Sequence, residues 1–176
     1  MHILDVVENA FSAGATLIEI ELEKDEKRDI LKLVISDNGS GIPKEVLPQV
    51  MDPFYTTRTS RRVGLGLSLL KQAAEQTGGS FKIDSIYGSG TKIEAEFGLS
   101  NIDRAPLGDM LGTLMTLIVG RPEVDILYKQ KVGSDEFIFD TREIKAALEG
   151  VPLSNPEVIS FLRENLQEGL NELGSI

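Results

Sequence analysis

In the first half of the chain, segments with the hydrophobic period of a helix and segments with that of a strand follow one another in a repeated order. That order limits the folds that the chain can adopt. Apolar residues recur every three or four positions in a helix, whereas they alternate with polar residues in a half-buried strand. Helices are predicted over 2–13, 43–50 and 65–76, and strands over 16–24, 30–36, 80–86 and 91–97. Apart from the short helix that Pro43 opens, the order is helix, two strands, helix, two strands. It predicts an α/β (α+β) two-layer sandwich, in which helices cover a mainly antiparallel mixed sheet.

The character of the sequence shifts after Leu99, where an α/β C-terminal extension begins. An apolar helix is predicted over 106–119 and a second hairpin over 125–140. Asp140 begins a capping-box pattern for the next helix, and Asn155-Pro156 opens a last amphipathic helix. We therefore predict a first domain over 1–99 and a helix-hairpin-helix extension over 100–176, which either stands apart or prolongs the same sheet.

Charge and composition exclude several classes of function. The net charge of -10 argues against non-specific binding of nucleic acid or anionic membranes, which needs a basic face. No apolar stretch approaches the roughly 20 residues of a membrane span, and the first residues carry acids where a signal peptide carries lysines. The chain has no cysteine, so disulfides and thiolate chemistry are excluded. These features predict a cytoplasmic protein with no nucleic-acid or membrane partner.

Asp37 stands at the end of an apolar strand and is followed by the glycine-rich turn Asn38-Gly39-Ser40-Gly41. An unpaired buried carboxylate costs several kcal/mol. The carboxylate of Asp37 must therefore be solvated or accept a hydrogen bond, and the donor belongs either to the protein or to a ligand. The glycines would let a backbone come close to such a ligand.

The first predicted helix carries a polar stripe. At about 100° per residue, Asp5, Asn9 and Ser12 share one face, with Glu8 just to its side. Such a stripe is ordinarily a solvated helix face. The functional alternative is a face for metal and phosphate, in which Asn9 offers a neutral oxygen to a hard cation and Asp5 orients or deprotonates a water.

A second glycine-rich stretch, Gly64 to Leu67, lies at the start of a predicted helix. Helix N-termini present backbone N–H groups and a partial positive charge, which suits phosphate oxygens. Glycine before a helix is common, and no Walker loop follows. The arginines at positions 58, 61 and 62 either keep the chain soluble or bind a triphosphate.

The segments DVVENA, DNGSGIP, PFYTTR, GLGLSLLKQAAEQTGG and GSGT occur in this order over roughly residues 2–98. Together they resemble the GHKL ATP-binding superfamily of sensor histidine kinases, type II topoisomerase ATPase subunits, heat-shock chaperone ATPases and mismatch-repair ATPases. The resemblance implies the Bergerat fold, ATP and Mg²⁺ as cofactors, and a nucleotide held between helices and sheet.

The resemblance also implies site residues. Asp37 would accept from the adenine amino group with Thr91 in support, Gly39, Gly41 and Ile42 would flank the base, and Asn9 would bind Mg²⁺. The loop 51–63 resembles a short ATP lid. The residues that would line the phosphates are Thr56, Thr57, Arg58, Gly64, Leu65, Gly66 and Leu67.

The chain departs from the family pattern at several positions. ENAFSAGATLIEIEL is similar to the mismatch-repair ATPases, whereas DPFYTTR is similar to the sensor kinases. Asp5 stands where the ATPases and anti-sigma kinases usually have glutamate, so Asp5 is the first candidate for a base and Glu8 the second. The sequence begins inside the N box, so we expect no dimerisation unit with a phospho-acceptor histidine. His2 is the only histidine, and we expect it to be a structural residue or a residue at the edge of the site.

Two classes of function fit these observations. The first is a stand-alone kinase or ATPase module that acts on a separate partner protein or phospho-acceptor. The second is an ATP-gated interaction switch similar to the anti-sigma regulators, with little turnover. ATP or ADP is the ligand in both, and a homodimer is compatible with both.

Overall fold

The computed structural model describes residues 3–50, 65–101 and 108–174. The helices are α1 (Ile3–Ser12), α2 (Leu47–Val50), α3 (Leu65–Gln76), α4 (Met110–Gly120), α5 (Thr141–Ala147) and α6 (Pro156–Glu172). The strands are β1 (Leu17–Asp25), β2 (Ile30–Asp37), β3 (Ser80–Ile86), β4 (Gly90–Gly98), β5 (Asp125–Val132) and β6 (Asp135–Asp140). Among these residues no helix is long and apolar enough to cross a membrane.

The strands form one six-stranded sheet in the order β3-β4-β2-β1-β5-β6. Four strand pairs are antiparallel, and only β1 and β5 run parallel. Because β5 pairs with β1 along its whole length, the strands of the C-terminal extension belong to the same sheet as those of the first half. The predicted mixed, mainly antiparallel sheet covered by helices is confirmed.

One face of the sheet carries the core. Alternate residues of each strand point to the same face, and on the central strands these residues are apolar and nearly inaccessible. Ile20, Leu33 and Ile35 are at most 2% exposed, and Tyr128 of β5 is fully buried beside them. The opposite face carries mostly charged side chains, which form ion pairs such as Lys32–Glu94 and Lys129–Glu21.

The helices pack on the apolar face. Ile3, Val6, Val7 and Ala10 of α1 are at most 3% exposed, so α1 turns one side into the core and the other to solvent. The last helix crosses β6 closely, because a Cβ on Gly169 would lie 2.0 Å from the ring of Phe137.

Three predicted boundaries or faces differ from the structure. The residues after Pro43 form turns, and α2 begins only at Leu47. The described part of the fourth helix begins at Met110, because the side chain of Asp109 caps it, whereas the predicted start at Pro106 lies outside the described residues. For the last helix, the sequence predicts one apolar side made of Ile159, Leu162, Leu166 and Leu173. In the structure Val158 joins Leu162 and Leu166 in the core, and Leu173 lies beyond the end of α6.

Candidate functional site

Asp37 is the last residue of β2 and lies on the helix-covered face of the sheet, in register with Thr91 of β4. Its carboxylate accepts a 2.8 Å hydrogen bond from the backbone N–H of Gly39. Burial raises the pKa of Asp37, although the backbone N–H groups of Gly39 and Thr91 act in the opposite direction. Donors from the protein therefore offset only part of the desolvation cost. A carboxylate has about four acceptor positions, so capacity remains for another donor.

The loop that follows β2 is fixed by hydrogen bonds on two sides. Oδ1 of Asn38 accepts from the backbone N–H groups of Thr16 and Leu17, both at 2.9 Å, and so caps the start of β1. The N–H of Ser40 donates to the carbonyl of Ala13, just beyond α1, at 2.9 Å. Sequence reasoning gave Asn38 no role, because its partners Thr16 and Leu17 lie 22 and 21 positions away in the chain.

The two glycines of this loop are packed tightly against protein. A Cβ on Gly39 would lie 2.9 Å from both the Cβ of Ala13 and Oδ1 of Asp37. Gly41 has a φ of +64°, and a Cβ there would lie 2.1 Å from the carbonyl oxygen of Ile86. The sequence suggested that these glycines admit a ligand. The structure shows a second reason for glycine at these two positions, because the loop passes close to the end of α1 and to the β3–β4 hairpin.

Ser85 connects this loop to β4, and sequence reasoning missed it. Its Oγ accepts from the backbone N–H of Ile42 at 2.8 Å and lies 2.9 Å from Oγ1 of Thr91. It also donates to the carbonyl of Gly90 at 3.0 Å. The hairpin register, which pairs Ser85 with Thr91, is the sequence signal that could have revealed it.

The polar stripe of α1 faces solvent. Asp5, Glu8, Asn9 and Ser12 are all exposed, and the hydroxyl of Ser12 donates to the carbonyl of Glu8 at 2.7 Å. The structure thus places the predicted candidates for metal binding and for the base on one accessible helix surface. An exposed carboxylate and a neutral amide oxygen suit a hydrated hard cation such as Mg²⁺.

The start of α3 packs against the same helix. A Cβ on Gly66 would lie 2.6 Å from the Cβ of Asp5, so this glycine allows the two helices to meet. Leu67 is 4% exposed and belongs to the core, which leaves its backbone for any phosphate contact. Leu65 opens α3. The other residues predicted at the phosphates, Thr56, Thr57, Arg58 and Gly64, lie outside the described residues.

Helix α1 joins the two parts of the site. Its N-terminal part touches α3 at Gly66, and Ala13 just after its last turn touches Gly39. At 1.5 Å per residue, about 12 Å separate Asp5 from Ala13 along the helix axis. Within the described ranges, no group of three or more His, Cys, Asp or Glu residues could hold a metal ion.

Comparison with known proteins identifies relatives of the first half of the chain. The profile of the family described as Histidine kinase-, DNA gyrase B-, and HSP90-like ATPase matches residues 2–101. The Probable C4-dicarboxylate sensor kinase of Bacillus subtilis (strain 168) is 33% identical over 99 residues, which cover 53% of this chain and 18% of that protein. Sensor histidine kinase YxdK of the same strain is 35% identical over 99 residues, which cover 52% of this chain and 30% of that protein. The chain thus spans at most 30% of the length of these two relatives.

A solved structure shares the fold over a longer stretch. The N-terminal domain of a DNA repair protein matches with a TM-score of 0.55 and 15% identity, over 78% of this chain and 50% of that one. At this identity the likeness concerns the fold alone. The aligned share exceeds what residues 2–101 can supply, so it includes part of the C-terminal extension.

Proposed function

Because the chain belongs to the Histidine kinase-, DNA gyrase B-, and HSP90-like ATPase family, we propose that it binds ATP with Mg²⁺ and acts as a kinase or ATPase module on a separate partner protein. In this proposal the adenine lies against Asp37 and Thr91. Asn9 offers its amide oxygen to Mg²⁺, and the backbone at the start of α3 meets the phosphates.

The state of Asp37 is the observation that carries the proposal. Its carboxylate is half-buried at a strand end, burial raises its pKa, and within the described residues the backbone N–H groups of Gly39 and Thr91 donate to it without cancelling that rise. A ligand amino group would add the donor that the desolvated carboxylate lacks. The adenine 6-amino group is such a donor.

The exposed face of α1 fits Mg²⁺ through few protein ligands. Mg²⁺ usually keeps several waters and is held by one or two side chains together with substrate phosphates. Asn9 supplies one such oxygen, and the exposed Asp5 lies on the same helix surface, where it can orient a water. When bound, Mg²⁺ supplies charge neutralisation for the phosphates. The assignments of Thr56, Thr57, Arg58 and Gly64 to the phosphates stay predictions.

The test is the affinity of Asp37→Asn for Mg-ATP, measured by calorimetry. The substitution turns an acceptor into an amide whose NH₂ can face the adenine donor. Loss of a charge-assisted hydrogen bond is worth about 1.5–3 kcal/mol, so affinity should fall roughly tenfold to a hundredfold. Asp84→Asn is a matched control, because Asp84 lies on β3 of the same sheet but points to the opposite face. Equal affinity in Asp37→Asn and wild type would remove Asp37 from the adenine site.

A specific surface feature favours the second candidate, an ATP-gated interaction switch. Ile86 and Tyr87 at the tip of the β3–β4 hairpin are 68% and 72% exposed, and the carbonyl of Ile86 lies against Gly41. An exposed apolar pair next to the loop after Asp37 suits contact with a partner protein whose binding depends on whether a nucleotide is bound. ATP turnover that is negligible and unchanged by Asp5→Asn would favour the switch, whereas transfer of γ-label to an added partner would favour the kinase.

The predictions about partners, cellular location, oligomeric state and domain boundary stay predictions. They are a cytoplasmic location, binding to neither nucleic acid nor membranes, a homodimer as one form, and a domain boundary near residue 100.

A further inference from the structure

Three polar side chains form a row across the end of the sheet. Ser85 of β3 is in register with Thr91 of β4, and Thr91 is in register with Asp37 of β2. Directly paired residues of an antiparallel ladder point to the same face. All three side chains therefore lie on the helix-covered face, with Thr91 in the middle, and each is partly buried.

The contacts of Ser85 determine where its single hydroxyl hydrogen lies. A serine hydroxyl has one donor hydrogen and two acceptor lone pairs. The N–H of Ile42 can only donate to it, at 2.8 Å, and the carbonyl of Gly90 can only accept from it, at 3.0 Å. The hydrogen of Ser85 is therefore used on Gly90. The remaining contact, 2.9 Å to Oγ1 of Thr91, is a hydrogen bond only if Thr91 donates.

The opposite assignment is less favourable. If Ser85 donated to Thr91, its oxygen would face the carbonyl of Gly90 at 3.0 Å with no hydrogen between two acceptors. In a partly buried site such an unsatisfied contact costs about 1–3 kcal/mol. With Thr91 donating, the one hydrogen and both lone pairs of Ser85 are all used.

We propose that Ser85 is a positioning residue that fixes the Thr91 hydroxyl as an acceptor toward the ligand, and so makes the site selective for 6-amino over 6-oxo purine nucleotides. This inference rests on the proposed function, because it assumes that a purine lies against Asp37 and Thr91. With the hydrogen of Thr91 committed to Ser85, both side chains present only acceptors to the base.

An acceptor-only edge distinguishes two classes of purine. Adenine carries a donor amino group at position 6, whereas guanine carries an acceptor oxygen there. Hypoxanthine, the base of inosine triphosphate, also has that oxygen and lacks the extra amino group of guanine. A 6-oxo group would bring its oxygen against the acceptors of Asp37 and Thr91. A Thr91 hydroxyl released from Ser85 could turn and donate to that oxygen.

The test compares the affinities of the chain for Mg-ATP and Mg-inosine triphosphate by calorimetry. Wild type should prefer ATP, and Ser85→Ala should narrow the ATP-to-inosine-triphosphate affinity ratio by about threefold to tenfold. Ser85→Thr keeps a hydroxyl and should retain the wild-type ratio. Ser89→Ala, an exposed serine of the same hairpin, should leave the ratio unchanged. A merely structural role of Ser85 would weaken both nucleotides equally, and that result would overturn the inference.

Thr91→Val keeps the inference testable if Ser85→Ala does not fold. It removes the hydroxyl while Ser85 can still accept from Ile42 and donate to Gly90. The affinity ratio should narrow here too, and an unchanged ratio would contradict the inference. A different result would contradict the proposed function itself, namely a wild type that binds neither nucleotide. A wild type that binds ATP through Asp37, with a ratio unaffected by Ser85→Ala, would remove only the role of Ser85.

Discussion

The C-terminal end and the exposed face of helix α1 border differently built parts of the candidate site. Beyond the C-terminal end, Ala13 packs against the loop after Asp37, and that loop is hydrogen-bonded to β1 and to the β3–β4 hairpin. On the exposed face, the side chains of Asp5 and Asn9 are accessible to solvent. The part proposed for the base is thus held in place by contacts within the protein, whereas the part proposed for the metal presents accessible side chains.

This difference separates binding from chemistry. A preformed site loses little conformational entropy when it binds, so it can set affinity and selectivity. Exposed side chains such as Asn9 gain defined positions only when a cation and phosphates are present. We therefore expect substitutions near Asp37 to change stability as well as affinity, and substitutions on the α1 stripe to change metal dependence or turnover with little effect on stability.

The largest expected effect is on the free energy of unfolding, for a substitution in the loop that follows Asp37. Gly41→Ala should lower the free energy of unfolding by roughly 3 kcal/mol or more, because the new Cβ would meet a backbone carbonyl that cannot move aside. Gly88→Ala is the matched control. Gly88 also has a positive φ, of +82°, but a Cβ there meets nothing within 4 Å. Its cost should be only the roughly 1 kcal/mol of the left-handed conformation.

Urea denaturation of the two variants measures this difference. If Gly41→Ala and Gly88→Ala are equally stable, the loop is able to relax, and the base end of the site is less rigid than the structure indicates.

The next effect concerns the contact between α1 and α3. Gly66→Ala should destabilise the chain by about 1–3 kcal/mol despite the higher helix propensity of alanine, because its Cβ would lie 2.6 Å from that of Asp5. Asp5→Gly removes the opposing Cβ. In the double variant we expect a coupling free energy of about 1 kcal/mol in the compensating direction, measured as a double-mutant cycle. Additive effects would show that the helices adjust independently.

Local and long-range features were not equally predictable from the sequence. Asp37 and its glycines were identified because a strand end followed by turn residues is a local pattern. The role of Ser85 depends on a contact to Ile42, which is 43 positions away in the chain. The parallel pairing of β5 with β1 is equally non-local, so the sequence left open whether the extension joins the sheet.

Asp37 should give stability and nucleotide affinity opposite pH dependences. Burial raises its pKa in the folded chain. Between its ordinary pKa and the raised value, the folded state retains a proton that the unfolded state releases, so the contribution of Asp37 to stability falls as pH rises. A donor amino group favours the charged carboxylate, so ATP affinity should rise over the same window, by at most about tenfold per pH unit.

Denaturation and calorimetry of wild type and Asp37→Asn over about pH 4 to 7 test this prediction. Asp37→Asn should remove the contribution of Asp37 to both trends, and the apo variant should gain stability relative to wild type as pH rises. A wild-type affinity for ATP that falls as pH rises would contradict the sign.

The smallest effect on stability is expected on the α1 stripe. Asn9→Ala, Asp5→Asn and Glu8→Gln alter exposed side chains, so each should change the free energy of unfolding by no more than about 0.5 kcal/mol. Their functional effects should differ. Asn9→Ala should weaken ATP binding only when Mg²⁺ is present, and Asp5→Asn should lower turnover while leaving binding largely intact.

Glu8→Gln tests the second candidate for the base, because it removes a charge from the same helix surface and leaves Asn9 and Asp5 unchanged. ATP affinity with Mg²⁺ and with EDTA isolates the role of Asn9, and single-turnover hydrolysis separates the chemical step from binding. If Glu8→Gln abolishes hydrolysis and Asp5→Asn does not, the two carboxylates have the reverse roles. Asp5 would then take no part in hydrolysis, and its established role would include the packing of α1 against Gly66.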